Sequence, residues 1–246
     1  MSGTDTRIAV VTGGAQGIGG TTAALLAAQG YTVHSLDLKP NPSGAVTSHV
    51  CDVTDAARLA ELAEAIGPVD ALLCGAGINL RPRDSRPEQI DLEAWRKTLD
   101  VNLTGTLLTV RAFRPRMREA GAIVTMGSVA ALVAMPLADA YTASKGAIVA
   151  LTRSWAVDYS RFGITVNCVC PGPADTEMMA GVREKFKEDS QVQLPQQRMA
   201  RPEEVGDLIA FLMSPQSSYV SGAVIPVDGG LTAHSAGMPF PKRKYD

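Results

Sequence analysis

The stretch VVTGGAQGIGG, residues 10–20, joins the end of a β-branched run to the start of an alanine- and leucine-rich segment. Within it Gly13, Gly17 and Gly19 stand at a spacing of four and then two. Glycine trios are common in turns, so the place of this one carries the information. At a first strand-to-helix turn, missing side chains let backbone N–H groups and the positive end of a helix approach a pyrophosphate. The stretch therefore predicts strand, tight turn and helix, with a dinucleotide at the turn. The next β-branched run ends at Asp37 in HSLDLKP, close to the offset of about twenty residues at which a carboxylate can take both adenosine ribose hydroxyls. The same carboxylate would repel a 2′-phosphate. No arginine follows Gly13 directly or flanks Asp37, although Lys39 is near, so the expected cofactor is NAD and not NADP.

The alternation set up by this stretch continues along the chain. RIAVVT is followed by a helical segment at 17–29, then YTVHSLD, then VTSHVCDV with a helix at 55–65, then VDALLC with a helix at 91–118. GAIVTMGS, a further helix, GITVNCVCPG, a helix near 202–213 and AVIPVD complete the series. Short strands separated by helical crossovers are the signature of a parallel sheet. The expectation is a single-domain, Rossmann-type, doubly wound parallel sheet of about seven strands with helices on both faces, spanning residues 1–246. No repeat, charge block or flexible linker interrupts it. A polar, methionine-containing insertion at 173–201 predicts a lid over the site, and residues 231–246 form a C-terminal tail.

Composition narrows the function. The chain has 246 residues, 46% of them apolar and 20% charged, with a formal charge of -2. Such a balance makes no electrostatic case for nucleic acid or an anionic membrane, so the expected partner is a small molecule. No apolar run approaches the length of about 18 residues that a membrane helix needs, and MSGTDTRIAVVTGG has no apolar signal core. A cytoplasmic protein is expected. Cys51, Cys74, Cys168 and Cys170 lie in or beside apolar strand-like runs, where unpaired cysteine behaves as a small hydrophobe. Cys168 and Cys170 would share one strand face, but His34, His49 and His234 are scattered, so neither a disulfide framework nor a metal site is expected.

A second stretch, ADAYTASKGAIVALT at 138–152, sets a phenol and an ammonium four positions apart on an otherwise core-like helix. That spacing stacks Tyr141 and Lys145 on one face, one turn apart. An isolated pair would ordinarily be a core-edge tyrosine and a snorkelling lysine. Here its context speaks for chemistry.

Together these motifs resemble the short-chain dehydrogenase/reductase family, from the first strand to VIPVDGG. TGGAQGIG is similar to the family's cofactor loop, which implies Gly13, Gln16, Gly17, Ile18 and Gly19 at the dinucleotide. CDVTD resembles the segment that meets the adenine, implying Asp52 and Val53 there. DVNLTG supplies Asn102. MGSVAA supplies Ser128, thirteen residues before Tyr141 as in the family, and YTASK is the tyrosine-lysine motif. PGPADT resembles the segment that covers the nicotinamide, implying Pro171, Gly172 and Thr176. Where the family usually has Asn-Asn-Ala-Gly, this chain has CGAG, Cys74 to Gly77. Gly75, Ala76 and Gly77 are expected to keep the cofactor turn and to lose the asparagine side-chain bonds.

The resemblance implies Tyr141 as general acid/base, with its anion favoured by Lys145 and by the positive nicotinamide ring. It further implies Ser128 holding the substrate oxygen, Asn102 anchoring a water near the lysine, and Lys145 reaching the nicotinamide ribose. The implied activity is NAD-dependent interconversion of a secondary alcohol and a ketone by a homotetramer, or failing that a dimer. A 3-oxoacyl thioester reductase is an alternative, although that branch typically uses NADPH. A non-catalytic dinucleotide sensor is another, opposed by the intact Ser128, Tyr141 and Lys145. Pocket walls are expected from residues 79–90, 133–139, 173–201 and the tail. Arg198, Arg201 and the triplet Lys242, Arg243 and Lys244 are candidates to hold an anionic substrate, with a solvated surface as the ordinary reading of the tail.

Overall fold

The computed structural model describes residues 6–180 and 194–234. Seven strands run in the order β3-β2-β1-β4-β5-β6-β7, all parallel. They are β1 (Ile8–Thr12), β2 (Thr32–Asp37), β3 (Thr47–Val50), β4 (Val69–Cys74), β5 (Met117–Met126), β6 (Thr165–Pro171) and β7 (Val224–Val227). Alternate residues of each central strand face opposite layers. Val10, Leu72 and Ile123 pack with α2 (Ala56–Ile66), α4 (Gly105–Phe113) and α5 (Asp139–Asp158) through Leu59, Phe113 and Trp155. Val11, Leu73 and Val124 pack with α1 (Gly17–Ala28) and α6 (Pro202–Leu212) through Leu26 and Ile209. A sheet covered on both faces needs strands that are apolar on both sides, which is why β4 and β6 are buried at every position. The order reverses between β1 and β4, so a crevice opens at their C-terminal ends, where open α/β sheets bind ligands.

The predicted alternation and strand number hold. The helix expected at 91–118 does not run through. α3 (Leu92–Leu99) gives way at Asp100–Thr104 to one π turn, in which the Gly105 N–H reaches back to Asp100 O, before α4 resumes. A turn at Arg114–Arg116 then ends the helical stretch, and Met117 and Arg118 belong to β5. Apolar periodicity does not register a single wide turn, because the stripe continues after it. Such turns are frequent at functional sites, and this one contains Asn102.

Candidate active site

The glycine stretch folds as its spacing requires. Gly13 has φ 67°, and a Cβ there would lie 2.7 Å from the Ala76 nitrogen, so the turn after β1 presses directly on the turn after β4. Gly17, at φ 58°, has only Thr176 near its would-be Cβ, at 3.5 Å, and leaves the α1 end open. Gln16 precedes α1 in an extended conformation and makes no side-chain cap. The first-turn N–H groups of α1 are thereby left to a ligand at the positive end of the helix.

A cleft of about 750 Å³ extends from this turn across the sheet ends. One end is walled by Gly13, Gln16, Gly17, Ile18 and Gly19 with Asp37, Asp52 and Val53. Asp37 closes β2; its carboxylate accepts from Ala15 N at 3.1 Å and Lys39 N at 3.3 Å. Gly75, Ala76 and Gly77 form the middle, with Pro171, Gly172 and Thr176 opposite. The CGAG turn survives the family departure because Thr12 holds it. The Thr12 hydroxyl accepts from Gly75 N at 3.1 Å, and a Cβ at Gly75 would lie 2.7 Å from Thr12 O. Uncapped amides, a strand-end carboxylate and an elongated cleft fit a nicotinamide dinucleotide.

Beyond the middle lie Ser128, Tyr141 and Lys145, all lining the cleft. Ser128 follows β5 and caps the short turn Val129–Ala131, its Oγ accepting from Ala130 N at 3.1 Å. The Tyr141 ring is partly buried, and the Lys145 Nζ lies 5.7 Å from its centroid. Burial pushes the Tyr141 phenol up from its ordinary value, while a hydrogen bond with Ser128 pulls it down. Burial is the larger effect, so in the chain by itself the phenol stands above its ordinary value. Lys145, 5% exposed, donates to Met126 O at 2.8 Å, and burial lowers it to about 8. Cys168 and Cys170 share a strand face behind it, their sulfurs 3.9 Å apart. Hydrogen bonding from Cys170 lowers the Cys168 thiol, and the same contact raises Cys170.

Asn102 is 1% exposed and lies behind the cleft wall. Its Oδ1 accepts from Ile78 N at 2.7 Å, and its Nδ2 donates to Ile78 O at 3.0 Å and to Ser144 Oγ at 3.1 Å. The π turn brings this side chain inward, where it ties the loop after β4 to α5. Gly77 lies alongside: a Cβ there would stand 3.3 Å from Asn102 Oδ1 and 3.4 Å from Lys145 Nζ.

The far end of the cleft is apolar, formed by Leu80, Val133, Met135, Met178, Met179 and Leu231. Part of each expected wall segment contributes. Arg198 and Arg201 do not line the cleft. Arg198 makes a two-pronged bond to Glu204, both contacts at 2.7 Å, and Arg201 joins at 3.2 Å. Guanidinium and carboxylate satisfy each other at the start of α6, so neither arginine is placed to hold an anionic substrate. Lys242, Arg243 and Lys244 fall outside the described residues, as does the middle of the 173–201 insertion.

Comparison with known proteins follows the same lines. A family model described as enoyl-(acyl carrier protein) reductase matches residues 13–232. A short chain dehydrogenase family protein from Francisella tularensis superposes with a TM-score of 0.84 at 30% identity, covering 93% of this chain and 100% of that one. The chain belongs to the short-chain dehydrogenase/reductase family. Among curated relatives of this short-chain dehydrogenase/reductase, the cis-4-hydroxycyclohexanecarboxylate dehydrogenase of Sinomonas cyclohexanicum is 39% identical, over 92% of this chain and 97% of its own. The 3-oxoacyl-[acyl-carrier-protein] reductase of Thermotoga maritima is 35% identical over 92% and 97%. The chain is thus an oxidoreductase of a family that binds a nicotinamide dinucleotide and acts on small molecules. Among its described residues no helix is long and apolar enough to cross a membrane.

Two features of this short-chain dehydrogenase/reductase escaped the sequence reading. Thr12, the last residue of β1, holds the turn after β4 through its hydroxyl. Asp84, in the loop after β4, is 1% exposed and bonds the start of α5 from 56 positions away. No local pattern announces either role.

Proposed function

We propose that this short-chain dehydrogenase/reductase uses NAD(H) to interconvert a secondary alcohol and a ketone. One observation carries the reading: Ser128, Tyr141 and Lys145 converge on the same stretch of a cleft whose other end carries the Asp37 carboxylate. When bound, the dinucleotide supplies the acceptor or donor of hydride. The chain's own residues do the rest. Ser128 orients the substrate oxygen, and Tyr141 exchanges a proton with it. Burial keeps the phenol protonated at neutral pH, the form that donates to a carbonyl oxygen during reduction. Alcohol oxidation needs the anion, which the Lys145 ammonium favours. Asn102 holds the loop and helix that frame these groups and anchors a water beside the lysine.

NAD is preferred on this reading because Asp37 offers acceptors to ribose hydroxyls and repulsion to a 2′-phosphate. Gly13, Gln16, Gly17, Ile18 and Gly19 take the pyrophosphate, Asp52 and Val53 the adenine, and Gly75 to Gly77 with Pro171, Gly172 and Thr176 the nicotinamide half. The apolar far end suits a cyclic or branched aliphatic alcohol, and the Sinomonas relative acts on a hydroxycyclohexanecarboxylate by name. Residues 1–246 work as one catalytic unit with the 173–201 insertion as lid, in a cytoplasmic homotetramer or dimer. The Thermotoga relative raises the alternative of a 3-oxoacyl thioester.

Steady-state rates with NAD+ and NADP+ test the reading, across cyclohexanol, cis-4-hydroxycyclohexanecarboxylate and a 3-hydroxyacyl thioester. Turnover of a ring alcohol with NAD+ is expected. Replacing Asp37 by serine is expected to narrow the preference for NAD by about tenfold or more, as one charged contact is lost. A parent enzyme that already prefers NADP+ overturns the cofactor assignment.

A further inference from the structure

α5 carries both Tyr141 and Lys145, yet its own sequence does not cap it. The residue before it, Ala138, has no side-chain acceptor. A helix start leaves its first amides without intrahelical partners, and buried amides need them. Here the loop after β4 supplies them. Asp84 Oδ1 accepts from Ala140 N at 2.9 Å, and Asp84 Oδ2 accepts from Tyr141 N at 2.9 Å. Ser85 O lies 3.4 Å from Asp139 N, and Thr142 N closes the first internal bond to Ala138 O at 2.9 Å. One buried carboxylate thus satisfies two amides at the positive end of the helix, one of them belonging to Tyr141 itself.

The carboxylate is itself held from the other side. Asn102 pins Ile78 at the start of the loop through two hydrogen bonds. Asp84 N donates to Leu80 O at 3.1 Å, and Arg83 bonds Asp91, the residue that caps α3. Asp84 is therefore a fixed point, set by α3 and the π turn, to which the first turn of α5 is tied.

We propose that Asp84 is a positioning residue for Tyr141, holding the phenol in line with Ser128 and Lys145 through the backbone of the helix's first turn. The proposal rests on the reading of Tyr141 as general acid/base. Lys145 sits one turn deeper, anchored by Met126 O, so loosening the first turn moves the phenol and leaves the lysine and the dinucleotide cleft in place. The signature is a loss in kcat without a loss in cofactor affinity, which a residue serving stability alone would not produce.

Asp84→Asn tests this at nearly constant volume: it keeps one acceptor and turns an NH2 donor towards the other amide. Its kcat on the best alcohol of the panel is expected to fall about tenfold or more, because small misplacements of reacting groups are costly. NADH affinity, read by fluorescence, is expected to stay within about twofold. Asp84→Ala should lose at least as much, and Asp84→Asn in a Tyr141→Phe background should lose nothing further. An Asp84→Asn enzyme, folded at the assay temperature, whose kcat stays within about fivefold of the parent overturns the proposal, as does a parallel loss of NADH affinity. If Tyr141→Phe alone keeps turnover, the acid/base reading is what has failed. If it is inactive while Asp84→Asn is not, only the positioning role has.

Discussion

Lys145, to which the proposed function gives a role beside Tyr141, is a buried ammonium whose cost to stability can be worked out. Its ammonium is 5% exposed, and burial lowers the group from 10.5 to about 8. Between these two values the unfolded chain binds a proton that the folded chain has released, so stability rises with pH across that window. Below it the charged lysine is carried into the fold at full penalty. About 2.5 pH units, at about 1.4 kcal/mol each, amount to roughly 3 to 4 kcal/mol. Lys145→Met keeps most of the stem and removes the charge. It also strips Met126 O of its partner, at a cost of about 1 kcal/mol. At pH 7 the variant should be more stable than the parent by about 2 kcal/mol, and the gap should close almost completely by about pH 10. Urea unfolding of both proteins at the two pH values measures it. On the proposed function the stabilised variant should bind NADH more weakly. A gap that does not change with pH, or a variant less stable at pH 7, would refute the assignment of a burial penalty to this lysine.

Tyr141→Phe removes the hydroxyl to which the proposed function assigns proton exchange, and little else, so on that proposal kcat is expected to fall by about 10²-fold or more while NADH still binds; stopped-flow binding beside steady-state rates separates the two. Asn102→Ala leaves the Ile78 N–H and C=O without their buried partners. It is expected to lower unfolding free energy by about 3 kcal/mol in urea melts, with activity falling because the loop carrying the cleft wall is released. An Asn102→Ala protein as stable as the parent would show that the clamp is not needed.

The fold was legible from short segments. A β-branched run, a glycine turn and a helical run repeated along the chain, and the physical cause of each lies within about a dozen residues: strand periodicity, positive φ at Gly13 and Gly17, and apolar stripes. The predicted cofactor segments, Ser128, Tyr141 and Lys145 also came together in one cleft, because parallel strands deliver their C-terminal ends to one edge of the sheet. Other features were decided only in three dimensions. The wide turn at Asp100–Thr104 hides in sequence because it preserves the apolar stripe on either side. Arg198 and Arg201 read as available cations until Glu204 was found to engage them. Desolvation of the Tyr141 phenol likewise depends on how the whole fold covers it, which its neighbours in sequence do not reveal. Asp84 is the clearest case. Sequence determines that a carboxylate exists in the loop after β4 and that α5 begins without a cap. That one completes the other is settled by chain closure over 56 positions, a matter of tertiary packing that no local pattern encodes.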